Sequence, residues 1–284
     1  RHLPCRRSCR GLIGIAKQEK RSLGRGISLL QALFFVYREE GCAMEPRWET
    51  LAPGCRVQVT KEYSFNTDTL LLADFSRPNP GESCADFGTG CGAIPLLWAA
   101  RGKPGAVQAI ELQKEAAALA AESVQASGLS GVITVLQGDV RQIKSFLPHE
   151  SLDLVACNPP YQAAGTGLLS PSPARALARV GSTLPLEELG RSAKFALRYG
   201  GRLCVCLRVQ RLAQAILAFG QMGLEPKRLR LVQQRLDKAP YLFLLECRKG
   251  GKPGLEMQPA LLLEHPAGAP SPELLGIYGD YRTT

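Results

Sequence analysis

SCADFGTGCG, residues 83–92, decides the fold, because a short apolar segment (83–87) runs directly into three closely spaced glycines. The apolar segment predicts a buried β-strand, with Asp86 near its end. Closely spaced glycines let the backbone turn sharply and bring its N–H groups close to a ligand. The helical pattern AIPLLWAA follows at 93–100. Together they predict a strand, a tight turn and a helix, as at the ligand-binding edge of an α/β sheet.

Strand and helix patterns alternate on both sides of this stretch. Further strands are predicted at 106–112, 132–136, 152–157, 201–209, 229–232 and 241–247, and helices at 65–75, 114–126, 184–197 and 212–222. This alternation predicts a doubly wound α/β fold with a mostly parallel, seven-stranded, Rossmann-like sheet. Ligands of such sheets bind at the carboxyl ends of the strands.

The amino-terminal residues differ from the rest in composition and contain no methionine. Their apolar run (27–37) has no small-residue cleavage site and, at about a dozen residues, is too short to span a bilayer. The Pro/Gly-rich segment 250–272 predicts a loosely packed ending. The expected parts are a non-native or unstructured extension at 1–43, one domain at 44–264 and a C-terminal tail at 265–284.

Basic residues are concentrated in one part of the chain. The net charge is +10, and residues 175–252 alone hold 16 Lys and Arg against 5 Asp and Glu. Such a local excess is typical of a surface that binds a polyanion such as RNA, although a solvated basic face is the alternative. The candidate RNA-binding residues are Arg175, Arg179, Lys227, Arg228, Arg230, Arg235 and Lys238.

Cysteine and histidine usage excludes several kinds of site. The ten cysteines form no CxxC pair, so neither a zinc site nor a disulfide framework is predicted, and we expect a reducing, cytoplasmic compartment. Three histidines leave little material for a Ser-His-Asp triad or a His-metal centre. We therefore expect neither a metal nor a membrane partner.

Three acids follow successive strands and suit a nucleoside cofactor. Asp86 precedes Gly88 and Gly90, Glu111 lies 23 positions after Gly88, and Asp139 follows the next strand. An acid at this offset accepts hydrogen bonds from ribose hydroxyls, and Asp139 is placed to accept one from an adenine amino group. Because an acid beside the glycines repels a pyrophosphate but suits a cation, we favour S-adenosylmethionine over a dinucleotide.

Asn158-Pro159-Pro160-Tyr161 follows the fourth strand in the chain and carries the predicted chemistry. Consecutive prolines fix φ and remove N–H donors, which leaves carbonyl acceptors beside an amide and an aromatic ring. The Asn158 oxygen and the Pro159 carbonyl can accept both hydrogens of a planar amino group, while Tyr161 stacks on its plane. Methyl transfer from a sulfonium then needs positioning rather than a strong base.

DFGTGCG and NPPY together resemble the class I S-adenosylmethionine-dependent methyltransferases that modify planar nitrogens. FNTDTLLLADF (65–75), ARALAR (174–179), LEPKRLRLV (224–232) and KGGKPGLEM (249–257) are similar to segments of the bacterial tRNA(Val) N6-adenine methyltransferases, which act next to the anticodon. The resemblance implies an RNA substrate and contacts of Asn158, Pro159 and Tyr161 with the base that is methylated. It also implies a cofactor contact for Asp68.

Other functions use the same motifs. Release-factor glutamine N5-methyltransferases also carry NPPY, but they have a Pro-Arg-Pro-x-Thr-Glu stretch where this chain has FNTDT. Methylation of adenine in ribosomal RNA or DNA is a third possibility. A catalytically inactive RNA-binding module would use the same basic residues but would have no need of Asp86, Glu111 or Asn158.

Overall fold

The computed structural model describes residues 46–159, 184–265 and 268–282. Its strands are β1 (Arg47–Ala52), β2 (Cys55–Val59), β3 (Ser83–Phe87), β4 (Ala106–Glu111), β5 (Ile133–Gln137), β6 (Leu152–Cys157), β7 (Leu197–Arg208), β8 (Leu224–Gln233), β9 (Leu242–Lys249) and β10 (Glu256–Leu262). Its helices are α1 (Thr67–Phe75), α2 (Ala93–Gly102), α3 (Lys114–Ala126), α4 (Leu186–Ala196), α5 (Leu212–Gln221) and α6 (Pro272–Tyr278). Short 3-10 helices lie at Val140–Ser145, Val209–Arg211 and Gly279–Arg282.

The central sheet has the strand order β10-β8-β9-β7-β6-β3-β4-β5. Within it, β9 runs antiparallel to β7 and β8, and the other pairs of neighbours are parallel. This confirms a doubly wound, mostly parallel α/β sheet. The described residues give the sheet eight strands, one more than the sequence predicts, because β10 pairs with β8 at the edge.

Buried strands separate two apolar layers. Along β6, Leu154 and Ala156 face one layer while Val155 and Cys157 face the other, as the two-residue period of a strand requires. The first layer contains side chains of α1, α2 and α6, and the second contains those of α4 and α5. With helices on both faces, the central strands β3 and β6 are almost fully buried, and ligands can reach the sheet only at its edges.

The expectation of a loosely packed ending is wrong for residues 256–262, which form β10. Pro259 lies inside this strand, and the register shifts between Gln258 and Leu261. Proline cannot donate to a sheet hydrogen bond and is confined to edge strands and bulges, which is where β10 places it. The sequence pattern was misleading because proline argues against a strand in general.

The C-terminal helix α6, within the predicted tail, packs into the first apolar layer. Leu274 and Ile277 are buried there together with Tyr278. The guanidinium of Arg101 donates to the carbonyls of Ile277 at 2.7 Å and Tyr278 at 3.2 Å. Residues 268–282 are therefore part of the folded body.

A hairpin of β1 and β2 was not predicted. Pro53 and Gly54 form its turn, a dipeptide that signals a turn in the sequence. The backbone N–H of Gln58 donates to the hydroxyl of Ser123 at 2.8 Å, which attaches the hairpin to α3. Apart from 60–62, the described residues belong to one compact unit, and the predicted extension at 1–43 lies outside them. Among the described helices, none is long and apolar enough to cross a bilayer.

Candidate cofactor and acceptor site

Four predicted site residues meet at the carboxyl edge of the sheet. Asp86 lies in β3, Glu111 ends β4, Asp139 follows β5 and Asn158 follows β6. These four strands are parallel neighbours, so their carboxyl ends point the same way. The sequence prediction that these residues share one edge is confirmed.

The loop after β3 depends on glycine. The angle φ is +78° at Gly88, +57° at Gly90 and +87° at Gly92, values that side chains other than glycine rarely allow. The N–H groups of Gly88 and Thr89 donate to the carbonyl of Ile110 at 2.8 and 3.0 Å. These bonds fasten the loop to the end of β4. A Cβ on Gly88 or Gly90 would point into open space, so a ligand has room there.

Asp86 is a buried carboxylate without a hydrogen bond. It is 1% exposed, and neither of its oxygens has a partner among the described residues. Burial raises the pKa of Asp86 to about 7; the hydroxyl of Thr89 partly offsets this rise, and the charge of Glu111 adds to it. The Thr89 hydroxyl is itself buried and makes no hydrogen bond of normal geometry. A cationic ligand would satisfy a carboxylate that is costly to leave unpaired.

Glu111 connects the glycine loop to α3. One carboxylate oxygen accepts from the N–H of Gly90 and the other from the N–H of Gln113, both at 2.9 Å. The side chain of Gln113 accepts in turn from the hydroxyl of Tyr63 at 2.8 Å. Because each carboxylate oxygen has a second lone pair, Glu111 can hold the loop and accept ribose hydroxyls at once.

Asp139 is engaged within the protein. Its carboxylate accepts from the backbone N–H of Arg141 at 2.9 Å and caps the following 3-10 helix. It also forms an ion pair with the Arg141 guanidinium at 2.5 Å, which holds the pKa of Asp139 below its ordinary value. The structure thus shows a capping role for Asp139, and its predicted contact with adenine stays a prediction.

The groups around the glycine loop fit S-adenosylmethionine better than a dinucleotide. Unpaired Asp86 suits the cationic methionine end, and Glu111 suits the ribose. A pyrophosphate needs free N–H donors, yet the N–H groups of Gly88, Thr89 and Gly90 already donate to protein oxygens. It would also approach two carboxylates.

Asn158 is oriented by the first turn of α1. Its amide nitrogen donates to the hydroxyl of Thr69 at 3.3 Å, and that hydroxyl donates to the side-chain oxygen of Asn66 at 3.1 Å. The register of β3 and β6, in which Asp86 pairs with Ala156, sets Asn158 beside the cofactor loop. Pro159, the next residue, is buried. Pro160 and Tyr161 lie outside the described residues.

Asp68 is buried in the first turn of α1. The amide nitrogen of Asn66 lies 3.5 Å from one of its carboxylate oxygens. Burial raises the pKa of Tyr241, and the charge of Asp68 raises it further, so Asp68 lies near the start of β9. Its cofactor contact stays a prediction.

The predicted RNA-binding residues occupy different surroundings. Arg228 pairs with Glu246 at 2.9 Å and lies 4.1 Å over the ring of Phe75, and Arg230 pairs with Glu273 at 2.5 Å. These two arginines are therefore part of the protein's own ion pairs. Lys227 donates to the carbonyl of Lys252 at 3.1 Å. Arg235 and Lys238 lie in the loop after β8, where Arg235 pairs with Asp237 at 3.2 Å, and Arg175 and Arg179 lie outside the described residues.

Sequence reasoning missed three residues at the site edge: Thr69, Arg208 and Arg211. Arg208 ends β7, and its guanidinium lies 5.5 Å from the ring centre of Tyr241. Arg211 follows in a 3-10 helix. Their position at and just after the end of the predicted strand 201–209 was a usable signal for the two arginines. Thr69 had no such signal, because its contact with Asn158 joins residues 89 positions apart.

Comparison with solved structures shows the same fold in methyltransferases. The crystal structure of a predicted O-methyltransferase from Agrobacterium tumefaciens has a TM-score of 0.61 and 26% identity, covering 75% of this chain and 96% of that one. The crystal structure of a tRNA m1G37 methyltransferase from M. jannaschii, at 15% identity and a TM-score of 0.50, covers 75% of this chain and 59% of that one, and shares the fold.

Sequence comparison identifies the family. The pattern of the methyltransferase small domain matches residues 64–222. A protein of Porphyromonas gingivalis named tRNA1(Val) (adenine(37)-N6)-methyltransferase is 32% identical over 247 residues, covering 84% of this chain and 93% of its own length. A relative of the same name from Tolumonas auensis is 31% identical over 216 residues, with coverages of 76% and 88%. The resemblance seen in the sequence is confirmed, and the chain belongs to the methyltransferase small domain family, together with these relatives.

Proposed function

We propose that this protein transfers a methyl group from S-adenosylmethionine to N6 of an adenosine in tRNA, next to the anticodon. The observation that carries the proposal is the position of Asn158 and Pro159, which directly follow β6 beside the glycine loop and Asp86. The named relatives support tRNA as the substrate.

The residues form two neighbouring subsites, one for the cofactor and one for the adenine amino group. Asp86 and Glu111 hold the cofactor, which when bound supplies a methyl group on a positively charged sulfur. The Asn158 side-chain oxygen and the Pro159 carbonyl accept the two hydrogens of the adenine amino group. These bonds fix the plane of the amino group and turn the nitrogen lone pair toward the glycine loop. Positioning of this kind is the main source of rate in such a displacement.

The tRNA backbone approaches along the same sheet edge. Arg208 and Arg211 follow β7, and Arg235 and Lys238 follow β8, so basic side chains continue outward from Asn158. Adenine must leave its stack to reach Asn158, which costs a few kcal/mol and least in an open loop. An anticodon loop meets that requirement.

The state of the thiols supports a reducing compartment. Seven cysteines of the described residues are free and buried, and burial raises the pKa of the Cys84 thiol to about 12. Thiols of this kind behave as small apolar side chains and form no stabilising disulfides. Free thiols suit a reducing compartment, and we place the protein in the cytoplasm, where tRNA is the available substrate.

The test is methyl transfer to three substrates offered separately. The full chain is incubated with labelled S-adenosylmethionine and either unmodified tRNA, ribosomal RNA or a release factor, and modified nucleosides are then separated. We expect label in tRNA as N6-methyladenosine, and loss of that label with Asn158→Ala. Label in the release factor alone would support glutamine methylation and overturn the proposal. Binding of tRNA without transfer of label would indicate an RNA-binding module.

A further inference from the structure

A chain of hydrogen bonds runs from the backbone of α1 to the side chain of Asn158. The side chain of Asn66 caps the helix, because its oxygen accepts a hydrogen bond from the N–H of Thr69 at 3.1 Å. The Thr69 hydroxyl donates to the same oxygen at 3.1 Å. The amide nitrogen of Asn158 lies 3.3 Å from the Thr69 hydroxyl.

The donors in this chain have a fixed direction. A backbone N–H can only donate, so the atom of Asn66 that faces it must be the oxygen. A hydroxyl has one proton, and that of Thr69 is used toward Asn66. Toward Asn158 the Thr69 oxygen can then only accept, which requires the amide nitrogen on that side.

Rotation of the Asn158 amide by a half turn would reverse its chemistry. Its oxygen would face Thr69, and its two N–H donors would face the amino group of the substrate. Two donor groups placed against each other form no hydrogen bond and leave polar groups unsatisfied. The orientation of this amide therefore decides whether Asn158 can hold an amino group at all.

We propose that Thr69 is a positioning residue, which turns the nitrogen of the Asn158 amide toward α1 and thereby presents its oxygen to the substrate amino group. The inference rests on the proposed function, because it assigns Asn158 the role of acceptor. The role proposed for Thr69 acts through the Asn158 amide. Through Thr69, the FNTDT segment orients the acceptor oxygen of Asn158.

The test replaces the Thr69 hydroxyl while leaving its backbone N–H in place. Thr69→Val keeps the side-chain shape and the helix cap but removes the oxygen that accepts from the Asn158 amide nitrogen. We expect the single-turnover rate with saturating S-adenosylmethionine and tRNA(Val) transcript to fall about tenfold to a hundredfold. The dissociation constants for the cofactor and the tRNA should change by less than about threefold. Thr69→Ser, which restores the hydroxyl, should recover most of the rate.

Two controls separate positioning from general damage. Thr67→Val changes the same residue type in the same turn, but the Thr67 hydroxyl bonds to Tyr278 at 2.6 Å and not to Asn158. It should retain the rate within about threefold, even if its melting temperature falls. Thr69→Ala provides a second variant without the hydroxyl if Thr69→Val folds poorly.

A double variant distinguishes failure of this inference from failure of the proposed function. Asn158→Ala should reduce the rate to a small residual value, and adding Thr69→Val should lower that residual rate no further, because both residues act through one amide. An unchanged rate in Asn158→Ala would overturn the proposed function. A lost rate in Asn158→Ala with full activity in Thr69→Val would overturn only the positioning role.

Discussion

The backbone N–H of Gly90 donates a hydrogen bond of 2.9 Å to the carboxylate of Glu111. The acid that ends β4 therefore also fixes the shape of the loop after β3. We therefore expect cofactor affinity to depend on this carboxylate, which holds the loop and is predicted to accept the ribose hydroxyls.

Replacing that acid should weaken the cofactor site. In Glu111→Gln, an amide NH2 group must face either the N–H of Gly90 or the N–H of Gln113, so one charged hydrogen bond is lost. We expect the affinity for S-adenosylmethionine, measured by titration calorimetry, to fall about tenfold to a hundredfold. Glu115→Gln, which alters an exposed acid in the first turn of α3, is the matched control. Equal affinities in the two variants would contradict the role of Glu111.

Cofactor binding should depend on pH through Asp86. The pKa of Asp86 is raised to about 7 in the protein alone, and a cationic ligand favours the ionised carboxylate. The ionised fraction grows as pH rises through the pKa, so affinity should increase about fivefold to tenfold between pH 6 and pH 7.5. The dissociation constant of S-adenosylmethionine, measured across this pH range, tests whether affinity rises with pH. Asp86→Asn should bind more weakly and show little pH dependence, and an equal slope in that variant would exclude Asp86 as the titrating group.

The basic residues at the carboxyl edge should bind the tRNA backbone. Removing two of them in Arg211→Ala/Lys238→Ala should lower the slope of log affinity against log salt concentration by about two units or slightly less. The control Lys103→Ala/Lys252→Ala removes two exposed lysines at the opposite edge, before β4 and after β9. Filter binding of tRNA at several salt concentrations gives both slopes. A larger change of slope in the control would indicate that the RNA-binding surface lies at the other edge.

The bond between Thr67 and Tyr278 should contribute to stability rather than to catalysis. Tyr278→Phe removes the hydroxyl that lies 2.6 Å from Thr67 and leaves the packed ring in place. We expect the free energy of unfolding in urea to fall by about 1 kcal/mol, with an unchanged single-turnover rate. In combination with Thr67→Val the losses should not add, because the two residues share one bond. Additive losses would show that the bond contributes nothing.

The sequence predicted the parts of the fold that have a strong local pattern. Apolar runs such as 152–157 and the glycines of 88–92 identify a strand and a tight turn by themselves, and both are confirmed. The edge strand β10 was missed because it is mostly exposed and contains Pro259, so it has neither the burial pattern nor the composition of a central strand.

The site was predictable where function requires a residue type at a strand end. Asp86, Glu111 and Asn158 lie where the sequence placed them. The cap that Asp139 forms on the 3-10 helix and its ion pair with Arg141 depend on side-chain orientation, which the sequence pattern does not give. The contact of Thr69 with Asn158 depends on tertiary packing of α1 against β6. Charge counts likewise could not separate Arg228, which pairs with Glu246, from the basic residues at the open edge.

The packing of α6 against α1 has a consequence for biosynthesis. The carbonyls of Ile277 and Tyr278 receive the guanidinium of Arg101, and the Tyr278 hydroxyl reaches Thr67, two positions before the residue that orients Asn158. Residues 272–282 are synthesised after every strand of the sheet. The first turn of α1 therefore gains the bond from Tyr278 only after the strands have been made, and a nascent chain that ends before residue 272 lacks it.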